Sequence, residues 1–105
     1  HLKDFCSFMA LKASNSNKEW TLWEKDTYCE KIEFGWRFIQ YEFFTQWAKV
    51  KKYANENGIS IIGDIPIYVS FDSADVCYNQ KMFLMLCNIP TDSIRYAQSV
   101  LLTAI

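Results

Sequence analysis

Residues 30–57 place Trp36, Ile39, Phe43, Trp47, Val50 and Ala54 at offsets of three or four, the spacing that lines one face of an α-helix. An apolar stripe of that length needs a surface to pack on, so it constrains the architecture more than any other feature of the chain. Phe34, Phe38, Tyr41 and Phe44 widen the stripe, which predicts a helix covered on more than one side. Gly58 suits the helix end. The β-branched residues Ile59, Ile61 and Ile62 then read as a strand buried on both faces. Asp64 stands where that strand runs out. In a parallel β/α enzyme, polar residues at the carboxyl end of a strand face the pocket that the loops build. The other reading of Asp64 is a turn cap before Pro66.

Elsewhere the pattern is shorter-ranged. Leu2, Phe5, Cys6, Met9 and Ala10 suit a short helix, and Ser14, Asn15, Ser16 and Asn17 read as a polar loop. Trp20 and Trp23 follow without a clear period; such aromatics stack on sugar rings or anchor packing. Lys49, Lys51 and Lys52 complement the dipole at the end of the long helix, and a solvated face explains them better than a phosphate site. After the strand, Ser70 or Asp72 is expected to cap a short helix over residues 73–76, with Asp75 in its first turn. Helix, glycine, buried strand, loop and helix is the rhythm of a parallel α/β barrel.

Composition narrows the function classes. Half of the 105 residues are hydrophobic and 17% aromatic, which argues against intrinsic disorder. A net charge of −1 gives no electrostatic reason to propose nucleic acid or an anionic membrane as partner. No apolar run is long enough to span a bilayer, and His1, Leu2, Lys3 and Asp4 do not open a signal peptide. Cys6, Cys29, Cys77 and Cys87 form no CxxC pair, and His1 is the one histidine. That pattern argues against a metal site and a disulfide framework, and for reduced thiols in a cytoplasmic protein.

The words along the chain carry a further signal. Phe43, Phe44, Gln46 and Trp47 lead to Tyr53, Ala54 and Asn55. Next come Gly63, Asp64, Ile65, Pro66, Ile67, Tyr68 and Val69, followed by Asp72, Ser73, Ala74, Asp75 and Val76. Near the start stand Asp4 and Phe5, then Phe8, Met9, Ala10, Leu11 and Lys12. This ordered set resembles the 4-α-glucanotransferases, or amylomaltases, of glycoside hydrolase family 77. The likeness covers about residues 2–86, with a divergent tail over 87–105 in which the family's expected loop is not seen. Cys77 stands where the family pattern has a tryptophan, removing a large indole face. Family members are several hundred residues long, so the resemblance implies a fragment. Residues 1–105 are expected to be part of a (β/α)8 TIM barrel with attached helical subdomain elements.

The resemblance also implies a chemistry. A retaining transfer uses a carboxylate nucleophile and a second carboxylic acid that protonates the leaving oxygen. The family carries these in segments resembling "RIDHFRG" and "AEDLG", and neither occurs here. No catalytic residue is therefore assigned within this chain. By resemblance, Asp64 supports a sugar subsite, and Tyr68, Asp72, Ser73 and Asp75 form the loop at the pocket rim. For Ser73 and Asp75, helix capping is the competing reading. The implied partners are α-1,4-glucans and maltooligosaccharides, with no organic cofactor and no metal; oligomeric state is not implied. Three functions follow: a piece of an enzyme that moves α-1,4-glucan segments between maltodextrins, a non-catalytic carbohydrate-binding or interaction module, or an inactive fragment.

Overall fold

The computed structural model describes residues 2–63, 68–85 and 96–99. It is mostly helical. Helix α1 runs over Leu2–Ser14, a 3-10 turn over Trp20–Leu22, helix α2 over Glu30–Glu56 and helix α3 over Ala74–Tyr78. Three short strands, β1 (Tyr68–Ser70), β2 (Phe83–Met85) and β3 (Tyr96–Ser99), form a sheet of order β1-β3-β2. Both pairings are antiparallel, with Val69 opposite Ala97 and Met85 opposite Ala97 from the other side.

Helix α1 has Asp4 in its first turn and Lys12 in its last, both favourable to the helix dipole. It buries Cys6, Phe8 and Ala10. Its end is held by the chain that follows. Ser16 and Asn17 take positive φ of 56° and 59°, and Asn17 N–H donates to the Lys12 carbonyl at 2.8 Å. The Asn15 side chain then brackets the next loop. Its Oδ1 accepts the Glu24 and Lys25 N–H groups at 2.9 Å, and its Nδ2 donates to the Leu11 and Lys25 carbonyls at 3.0 Å. A residue expected to be loop punctuation is a buried, fully bonded tie.

The second centre of packing pairs Phe71 and Val76 with Trp20, Val69 and Phe83 around them. Trp20 stacks on Phe71 with ring centroids 5.3 Å apart and donates its indole N–H to the Phe71 carbonyl at 2.9 Å. Trp23 packs on Phe8 of α1 at 5.1 Å. Both tryptophans are thus engaged as anchors within the fold.

Helix α2 ends as its sequence predicts. Gly58 has φ of +74°, and Ile59 N–H and Gly58 N–H donate to the Ala54 and Asn55 carbonyls, closing a Schellman turn. Two expectations are corrected, however. Residues 59–62 form no strand: Ile59, Ile61 and Ile62 are 59%, 40% and 93% exposed. A doubly buried strand needs hydrogen-bonding neighbours on its edges and cover on its faces, and the described residues supply neither. The helical stripe is also largely open. Trp36 meets Phe5 of α1 edge-on at 5.7 Å, but Phe43, Trp47 and Val50 are 58%, 44% and 53% exposed. Helix α1 is half as long as α2 and covers only its amino-terminal part, where Glu33 is buried. The described sheet is antiparallel and no barrel is formed among the described residues.

Candidate functional site

A cleft of about 420 Å³ lies between α1, α2 and the stretch 72–79, within the range of small-ligand pockets. Helix α1 contributes Phe5, Phe8 and Met9 as an apolar wall, with Asp4 and Lys12 at the ends, and Gln40 reaches in from α2. Facing them are Asp72, Ser73, Asp75 and Asn79. The structure thus brings together three of the residues singled out from sequence. Tyr68 lies on β1, its backbone in register with Gln98. Asp64 falls outside the described residues.

Asp72 holds the cleft together. Its Oδ2 pairs with Lys12 Nζ, and its Oδ1 accepts the Trp20 backbone N–H at 3.2 Å. One carboxylate thereby joins α1, the 3-10 turn and the loop before α3. Both members of the ion pair are about four-fifths buried, with side chains 21% and 25% exposed. Lys12 also lies 5.8 Å from the centre of the Phe8 ring. The amino-terminal cap of α3 is Ser73, as its capping reading has it, and not Ser70 or Asp72: Ser73 Oγ accepts the Val76 N–H at 3.4 Å. Ser73 has the extended backbone of an N-cap residue, leaving Asp72 free to face α1. Asp75 occupies the first turn of α3, exposed, with its carbonyl accepting from Asn79 N–H and Nδ2 at 3.1 Å.

Burial raises the Cys77 thiol above its ordinary range, and the Asp72 charge adds to it. Burial likewise raises Tyr78, with Cys77, Asp4 and Tyr28 contributing. Behind the cleft, burial and then the Glu33 carboxylate raise the Cys6 thiol, partly offset by Arg37. Both thiol shifts favour the protonated thiol over the nucleophilic thiolate. Among the described residues, no group of three or more metal-ligating side chains is placed to hold an ion, and no helix is long and apolar enough to cross a membrane.

An apolar wall facing carboxylates, an amide and a hydroxyl is the chemistry that a sugar ring meets well, with its C–H face on one side and its hydroxyls on the other. Sequence reading missed two parts of this arrangement, the Lys12 partner of Asp72 and the Asn15 bracket. A lysine in a last helical turn and an asparagine in a polar loop carry no mark of a contact far away in the chain.

Comparisons with known proteins give the family. A family profile described as 4-alpha-glucanotransferase matches residues 1–92. The 4-alpha-glucanotransferase of Clostridium butyricum is 43% identical over 97 residues, covering 80% of this chain and 20% of that protein. A relative from Solanum tuberosum, described as a chloroplastic/amyloplastic 4-alpha-glucanotransferase, is 38% identical over 97 residues, covering 80% of this chain and 17% of its own. Among solved structures, the amylomaltase of Streptococcus agalactiae in complex with acarbose matches with a TM-score of 0.71 and 30% identity, over 91% of this chain and 26% of that chain. Profile, relatives and structural match agree on one family. The chain belongs to the 4-alpha-glucanotransferase family. It spans about a fifth of the length of the curated relatives it matches.

Proposed function

We propose that this chain supplies a glucan-contacting part of a 4-α-glucanotransferase, which moves α-1,4-glucan segments between maltodextrins by a retaining double displacement. The observation that carries the reading is the cleft in which Asp72, Ser73 and Asp75 face the apolar wall of α1. In this reading residues 1–105 are an early portion of a (β/α)8 barrel domain, diverging over 87–105, in a cytoplasmic enzyme. The solved relative in complex with acarbose supports an oligosaccharide as the ligand class. The nucleophile and the acid/base lie on the remainder of the barrel. Asp64 supports the subsite beside them, while Tyr68, Asp72, Ser73 and Asp75 form its rim.

Transfer requires the two carboxylates to flank the scissile bond, so the part played here is orientation of sugar against them. The test is a chimera in which residues 1–92 replace the matching part of the Streptococcus agalactiae amylomaltase. The chimera should redistribute maltotriose into glucose and longer maltodextrins. Asp64→Asn in it should slow turnover by about a hundredfold, the scale of lost positioning. Unchanged turnover in that variant would remove Asp64 from the site.

A further inference from the structure

Two anchored pieces of chain meet at one ion pair in the cleft. The Lys12 end is fixed by the turn after α1, where the Lys12 carbonyl accepts Asn17 N–H at 2.8 Å and Asn15 N–H at 3.1 Å. The Asp72 end is fixed by Trp20, which stacks on Phe71 and donates its indole N–H to the Phe71 carbonyl at 2.9 Å. Between them the Lys12 ammonium pairs with Asp72 Oδ2 across 60 positions of sequence. Its Nζ stands 5.8 Å from the centre of the Phe8 ring, part of the apolar wall. With the backbone held at both ends, this pair sets how the 72–79 stretch stands against α1.

The same contacts decide what Asp72 offers a ligand. Oδ1 accepts the Trp20 N–H and Oδ2 the Lys12 ammonium, so both oxygens serve the fold. Asn79 Nδ2 donates to the Asp75 carbonyl at 3.1 Å. That leaves Asn79 Oδ1 and the exposed Asp75 carboxylate among the polar groups lining the cleft. With the cleft read as a glucan site, we infer that Lys12 is a positioning residue: it holds Asp72, and through it the rim 72–79, so that Asp75 and Asn79 meet sugar hydroxyls across from Phe5, Phe8 and Met9. Lys12 donates to Asp72 and not to glucan. Removing the ammonium leaves a carboxylate, its side chain 25% exposed, without its counter-charge. Such a group turns towards water and carries the rim with it.

The test titrates the full 105-residue chain and its variants with maltotriose, followed by amide NMR, with a urea midpoint measured for each. Lys12→Met should weaken maltotriose binding by about tenfold or more, the scale of one misplaced hydrogen bond to a charged group. Lys12→Arg, which keeps the charge and the pairing, should retain the parent's affinity. Asp72→Asn should cost as much as Lys12→Met, and the two together no more than either alone, because Lys12 acts through Asp72. Lys18→Met, which removes an exposed pair with Glu24, should change nothing. A residue that only stabilises the fold would move the urea midpoint and leave the affinity of the folded chain as it was. Lys12 loses the assignment if Lys12→Met binds as the parent does, or if Lys12→Arg weakens binding as Lys12→Met does. It loses it equally if the double variant shows the sum of the two losses, the mark of a direct contact with glucan. Should Lys12→Met not fold, Asp72→Asn with and without Lys12→Met carries the same comparison, since neither holds an uncompensated carboxylate at that position. No binding of maltotriose by the parent chain would remove the glucan reading of the cleft and this assignment with it, an outcome distinct from any difference among the variants.

Discussion

All four hydrogen-bonding positions of the Asn15 amide are used, two as acceptor and two as donor, at 6% exposure. Truncation would leave the Glu24 and Lys25 N–H groups without their acceptor, and a buried unsatisfied group is costly. Asn15→Ala should therefore destabilise the fold by about 2 kcal/mol or more, read as a fall in the urea midpoint. A midpoint unchanged within error would show that the bracket carries no tertiary energy. Thiol chemistry offers a second residue-scale test. Burial raises Cys6 and Cys77, so the folded state holds each proton more tightly than the unfolded chain does. The associated stability is complete below the unfolded thiol's pKa and is lost as pH rises through it towards the raised folded value. Iodoacetamide labelling of Cys6 and Cys77, resolved by mass spectrometry, should turn on at higher pH in the native chain than in the urea-unfolded chain. Equal labelling profiles would contradict it.

The elements show where sequence is legible. Helix α2 and its Schellman end follow from apolar spacing and Gly58, because both are local properties of the backbone. The status of its stripe is not local. Spacing says that Phe43, Trp47 and Val50 share a face, whereas burial depends on what other chain is present to cover it. The same distinction governs residues 59–62, whose β-branched run suits a covered strand and finds no partner among the described residues. In the candidate site, Asp72, Ser73 and Asp75 lie on one short run that the resemblance singled out, and they line the cleft together. The facing wall of α1 was not legible as part of the site, since it lies some sixty positions earlier and meets this stretch through tertiary contacts such as the Lys12–Asp72 pair. A consequence follows for Trp47. At a buried site Trp→Ala costs about 3–5 kcal/mol; at its observed exposure of 44% the substitution in this chain should cost less than about 1 kcal/mol. Chemical denaturation of the Trp47→Ala chain measures it, and a loss in the upper range would place the indole in a packed interior.

At the scale of the whole molecule, family membership is one question and catalytic capacity another. The family profile matches residues 1–92, and in the reading proposed above the nucleophile and the acid/base lie on segments outside this sequence. Without both carboxylates no glycosyl-enzyme forms and no leaving oxygen is protonated. The purified chain should therefore leave maltotriose unchanged in a chromatographic assay, and redistribution free of host enzyme would show that the acids had been misplaced.

The central claim is that the cleft between α1 and residues 72–79 meets glucan. The most direct measurement is a titration of the isotopically labelled chain with maltotriose and with acarbose, followed by amide NMR. The account predicts saturable shifts concentrated at residues 4–12 and 72–79, lost in Asp75→Ala, whose exposed side chain leaves the fold intact. Shifts confined to the open face of α2, or none up to saturating sugar, would contradict it.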